Sequence, residues 1–125
     1  MTESERQLEI AQTMTEKELE DAICELLDTL GIYYHHDRPA RTKRGAGGGP
    51  VKWKNHFRGP KGIPDLVIIG DRVIWVELKS HTGRLTTDQE IWLDRLRMAN
   101  QEVYVWRPID WLNGSIGELL IGARL

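Results

Sequence analysis

A mixed β-sheet with helices packed against it is the fold class that this 125-residue chain predicts. Three observations carry that expectation. Leu19, Ile23, Leu26 and Leu30 recur at helical spacing over residues 15–31. Two apolar runs rich in β-branched residues, 63–69 and 73–78, flank Gly70-Asp71-Arg72 and read as strands joined by a hairpin. A second helical stretch then separates that hairpin from a further strand over 102–107. The order α-β-β-β-α-β, with a short helix after it, lays helices on the faces of one sheet. The length suits a single domain over 1–125 whose core needs no staples.

Each element has a local reason. Residues 1–12 are polar and are expected either to be flexible and fray or to extend the first helix. Thr13-x-x-Glu16 and Thr15-x-x-Glu18 both fit a capping box, and Gly31 supplies the C-cap. Ile32, Tyr33, Tyr34 and His35 read as the first strand. Residues 41–50, with four glycines, read as a loop, and the alternation over 51–57 predicts a short strand pairing back on the first. Thr87 with Glu90 fits the capping box of the second helix, with Trp92, Leu93 and Leu96 as its buried stripe. Pro108 stops the strand at 102–107, and Trp111, Leu112, Ile116, Leu119 and Leu120 suit a closing helix. The chain has no internal repeat and no long low-complexity segment.

Composition narrows the function classes. Hydrophobic content of 40% and charged content of 29% are ordinary for a globular protein. No apolar run is long enough to span a membrane, and no signal peptide opens the chain. A lone cysteine, Cys24, makes no internal disulfide, which fits a reducing compartment and a buried helical position. The net charge of −2 hides an asymmetry. Residues 35–62 carry Arg38, Arg41, Lys43, Arg44, Lys52, Lys54, Arg58 and Lys61 against Asp37, a net of +7, which leaves −9 on the remainder. One basic segment in an acidic protein suits either a polyanion partner or a solvated loop. Trp53 and Phe57, interleaved with those cations, suit base stacking or packing beneath a sheet. His35, His36, His56 and His81 lack the spacing of a zinc site. Trp75, Trp92, Trp106 and Trp111 suit a core or a dimer face.

The chemistry concentrates in residues 62–79, GIPDLVIIGDRVIWVELK. A three-residue hairpin loop sets Ile69 opposite Val73, and counting back sets Asp65 opposite Glu77. Opposed residues have Cβ atoms about 4.5–5.5 Å apart. Two carboxylates at that distance repel unless positive charge lies between them, and a divalent metal supplies it. Lys79, two residues past Glu77, points to the same face. Gln89 lies in the first turn of the second helix, on its inward side. Two carboxylates and an ammonium at one spot form the layout of a metal-dependent phosphodiester-cutting site. Hard oxygen donors favour Mg²⁺ or Mn²⁺, with a backbone carbonyl, that of Leu78, as a further donor.

The run GIPDL, then WVELK, then Gly83-Arg84-Leu85-Thr86-Thr87-Asp88-Gln89, resembles the VRR-NUC domain of the PD-(D/E)XK nuclease superfamily. The likeness takes in the leading helix and extends over about residues 14–107. It implies a restriction-endonuclease-like fold, Asp65 and Glu77 as metal ligands, Lys79 as the catalytic lysine and Gln89 as a supporting active-site residue. It also implies an acidic residue on the first helix, Glu16 in preference to Glu20. Standalone members of the family, of phage or prophage type, resemble Holliday-junction resolvases that act as dimers on branched DNA. The resemblance therefore implies a metal-dependent, structure-selective endodeoxyribonuclease, a homodimer on four-way junctions in the cytoplasm of its host cell. A flap- or duplex-cutting restriction-like nuclease and a non-catalytic DNA-binding module are the alternatives.

Overall fold

The computed structural model describes residues 1–36 and 58–125, together with the backbone of residues 40–41 and 53–54. Helix α1 (Glu3–Thr13) and helix α2 (Glu16–Leu30) lead into strand β1 (Tyr33–His36). A ribbon of β2 (Ala40–Arg41) and β3 (Trp53–Lys54) follows, then the hairpin β4 (Leu66–Ile69) and β5 (Val73–Leu78). Helix α3 (Thr87–Met98) connects to β6 (Glu102–Trp106), and α4 (Pro108–Leu112) and α5 (Ser115–Gly122) end the described chain. The main sheet has the order β1-β4-β5-β6. Its first two pairings are antiparallel and its last, β5 with β6, is parallel. This is the expected mixed sheet flanked by helices.

Its core follows from the periodicity. Leu19, Ile23 and Leu27 of α2 are fully buried, and they join Leu66, Ile68, Ile74 and Val76 of the sheet and Ile116 and Leu120 of α5 in one cluster. Each such side chain contributes about 1.5–3 kcal/mol by leaving water. Strand alternation sends the next residues of β5, Trp75 and Glu77, to the opposite face. There Gln89, in the first turn of α3, and Gln101, just past its end, donate to or accept from them. Helix α3 therefore lies on the face away from α2.

Several local expectations change. Residues 3–13 form a helix of their own, N-capped by Thr2 and anchored by fully buried Ala11. The first strand pairs with β4, and β3 pairs with β2 in a separate ribbon instead of returning to β1. Long-range partners are not encoded in alternation, so this pairing was invisible locally. Residues 51–52 and 55–57 of the expected strand lie outside the described residues. The box that starts α3 is Thr86 with Gln89, one residue before the expected Thr87 and Glu90. In the expected stripe of that helix, Leu93 is buried while Trp92 and Leu96 are half-buried. The closing helix is two helices, because Gly114 takes a left-handed φ of 85° between them. Cys24 is half-buried against the core.

Two glycines position the hairpin. A Cβ on Gly70 would sit 2.3 Å from the carbonyl oxygen of Ala123, and Asp71 N–H donates to that same oxygen at 2.7 Å. The hairpin tip is thus seated on the end of α5. At Gly62, φ is 104° and a Cβ would meet the Asp88 backbone at 2.6 Å. That close approach ties the segment before Pro64 and Asp65 to the start of α3.

Candidate active site

The hairpin sets the site. Its register pairs Ile69 with Val73 and Leu66 with Val76. One further step places Asp65 opposite Glu77. Glu77 is 2% exposed and Lys79 9%. Glu77 Oε1 accepts from Gln89 Nε2 at 2.9 Å and lies 3.9 Å from Lys79 Nζ. Its other oxygen, Oε2, is buried without a hydrogen-bond partner. Asp65 Oδ2 accepts from the Leu78 N–H at 2.7 Å.

The electrostatics follow from that packing. Burial, and then the neighbouring Asp65 charge, push the Glu77 carboxyl up to about 8, with Lys79 acting in the opposite sense. The Glu16 charge also raises it. Glu16 lies in the first turn of α2. Glu20, one turn on, has its Oε2 2.9 Å from His36 Nε2.

Neighbouring backbone holds these groups in place. Gln89 Oε1 accepts from the Thr86 N–H at 2.9 Å, which orients the amide so that its Nε2 faces Glu77. The capping box and the site thus share one side chain. Lys79 N–H donates to Trp106 O at 3.0 Å, continuing the parallel β5–β6 pairing past Leu78. Arg107 was missed in the sequence. Its Nη1 donates to both Ser80 O and Gly83 O at 2.7 Å, bracing the turn that follows Lys79. No local pattern announced it, because the clamp rests on the parallel pairing of β5 with β6, which sets the ends of 73–79 and 102–107 side by side.

Of the eight expected phosphate-contacting cations, Arg58 and Lys61 are exposed. Lys61 Nζ lies 3.6 Å from Asp88. Arg41 and Lys54 lie in the β2–β3 ribbon, where only backbone is described. Arg38, Lys43, Arg44 and Lys52 lie outside the described residues. Among the described residues no three His, Cys, Asp or Glu side chains gather into a metal-binding group. The acidic groups that could hold a cation at the site are Asp65 and Glu77. The buried, unpaired Oε2 of Glu77 fits a hard divalent cation, because two acidic oxygens in a desolvated place call for compensating charge.

A mixed sheet that ends in a buried Glu77 facing a half-buried Asp65, beside a lysine, is the layout of a nuclease-type domain that processes DNA. The chain belongs to the VRR-NUC domain family, whose family model matches residues 46–108, just over half of its length. The matched segment holds Asp65, Glu77, Lys79, Gln89 and Arg107, while Glu16 precedes it. Comparison with curated proteins and with solved structures gave no match. No helix among the described residues is long and apolar enough to cross a membrane.

Proposed function

We propose that this protein is a divalent-metal-dependent, structure-selective endodeoxyribonuclease of PD-(D/E)XK order, working as a homodimer that resolves four-way DNA junctions. The order α-β-β-β-α-β is read along α2, β1, β4, β5, α3 and β6, with the β2–β3 ribbon as an insertion. One observation carries the reading: a 2%-exposed Glu77 with an unpaired oxygen beside Asp65. Asp65, Glu77 and the Leu78 carbonyl are the donors for Mg²⁺ or Mn²⁺. Such an ion, when bound, polarises the phosphate and lowers the pKa of a coordinated water.

The side chains do the rest. Lys79 orients the attacking water and stabilises the charge that grows on the phosphoryl oxygens. Gln89 donates to Glu77 and favours its ionised form. Asp65 is fixed by the Leu78 N–H, so both carboxylates are held before substrate arrives. Glu16 adds a third acidic charge at the rim. The basic segment, from Arg38 to Lys61, contacts phosphates without reading sequence. An unpaired thiol at Cys24 fits work in a reducing cytoplasm, that of the host where a phage encodes the chain.

The test is cleavage of a synthetic four-way junction, with and without Mg²⁺, beside flap and plain duplex substrates. Paired symmetric nicks on the junction that require the ion are expected. Preferential cutting of flap or duplex would replace the junction reading with that of a restriction-like enzyme. Binding with no cutting under any divalent ion would leave a DNA-binding module.

A further inference from the structure

Helix α3 carries apolar side chains on two sides. Leu93 is 2% exposed, whereas Ile91 and Met98 remain 47% and 83% exposed. Asp88, Ile91, Arg95 and Met98 stand three or four residues apart and so form one outward stripe. Alongside runs a groove of about 460 Å³, lined by Trp92, Leu96 and Pro60 together with Lys61. The Trp92 indole N–H donates to Pro60 O at 3.1 Å, which fixes the groove wall. An apolar face of this kind on a water-exposed helix marks an interaction surface.

The charges indicate the partner. Asp88 and Arg95 have opposite sign and lie two turns apart on the stripe. Two copies of α3 laid antiparallel, about a two-fold axis between Ile91 and Trp92, set Asp88 of each copy against Arg95 of the other. The same operation sets Ile91 against Trp92 and repeats each contact, as an isologous interface requires. A polyanion fits poorly, because the groove is apolar and Asp88 stands among its two cations. We propose that this face of α3 docks a second copy of the same chain. The proposal rests on the homodimer reading above and assigns its interface. In the single chain Asp88 is met by exposed Lys61 at 3.6 Å, and Arg95 of the other copy would join that pair.

The test is sedimentation velocity on the wild type, Asp88→Lys, Arg95→Glu and the double variant. A wild-type dimer is expected. Each single reversal sets like charges together and weakens self-association by about tenfold or more. The double reversal restores opposite signs between positions 88 and 95 and recovers most of the dimer, Lys61 now standing beside a like charge. Single variants that dimerise like the wild type would overturn this face while leaving the homodimer. A double variant that stays dissociated would overturn the charge pairing. A wild type that is monomeric at about 100 μM, far above the micromolar range of specific association, would overturn both face and homodimer. Mg²⁺-dependent nicking measured on the same samples decides the nuclease reading separately.

Discussion

Glu77 concentrates the chemistry of the site in one side chain. A carboxylate at 2% exposure with an unpaired oxygen is tolerated either by holding a proton or by meeting a cation. In metal-free protein the proton prevails, and the carboxyl is raised from 4.5 to about 8. Its folded form therefore keeps a proton that the unfolded chain releases above about 4.5. The stability this contributes is complete below that pH and is lost as pH rises toward 8. The loss reaches at most about 1.4 kcal/mol per pH unit. In chelator, urea unfolding should show a midpoint that falls between pH 5 and 8 for the wild type and stays flat for Glu77→Gln. Adding Mg²⁺ at pH 8 should raise the wild-type midpoint and leave that of Glu77→Gln unmoved. A flat wild-type profile would mean that the carboxylate is not buried against Asp65. Lys79→Ala removes a group proposed to act in the transition state. It should cut about 10²–10³-fold more slowly while binding the junction with unchanged affinity; wild-type-like cutting would remove Lys79 from the reaction.

Between elements, what was legible depended on how local the determining contact is. Asp65 opposite Glu77 could be read because a three-residue turn and strand alternation fix register within the run 62–79. The capping box of α3 was read one residue late, since Thr86 and Thr87 both offer a hydroxyl before a polar partner three residues on. That shift has a consequence, for Gln89 is both the box residue and the donor to Glu77. Pairing of β1 with β4 and the clamp by Arg107 join segments far apart in the chain, and no local pattern announces them. The clamp has a measurable role. Arg107→Ala frees two carbonyls in the turn after Lys79, each bond to a charged donor contributing about 1.5–3 kcal/mol. The variant should lose turnover on the junction more than affinity for it, and Arg107→Lys should recover only part, because its ammonium is a strongly hydrated charge on a shorter side chain. Equal losses in affinity and turnover would make Arg107 a DNA contact. At the hairpin tip, Gly70→Ala drives a methyl group into the Ala123 carbonyl and should lower stability by about 1–3 kcal/mol, read from the urea midpoint at constant slope.

Across the whole molecule the charge is divided: +7 over residues 35–62 and −9 elsewhere, within a total of −2. On the proposed reading the acidic body repels DNA and approach comes through the basic segment, of which Arg58 is exposed while Lys61 stands beside the start of α3. Asp65, three residues past Gly62, is reached along the same stretch of chain. On that reading the substrate is drawn toward Asp65 and Glu77, and the negative charge of the remainder discourages other approaches. Phosphate contacts of this type release counterions, so affinity falls linearly in a plot of log K against log salt, with a slope of about 0.9 per contact. Replacing Arg41, Lys43 and Arg44 together by glutamate should weaken junction binding at low salt. It should also flatten that slope by about one unit for each phosphate contact removed. The loss should be similar on duplex and junction if the three residues supply attraction alone, and larger on the junction if they also recognise its branch. A triple variant with the wild-type slope would show that the basic segment does not touch the DNA backbone, and the positive charge of residues 35–62 would need another partner.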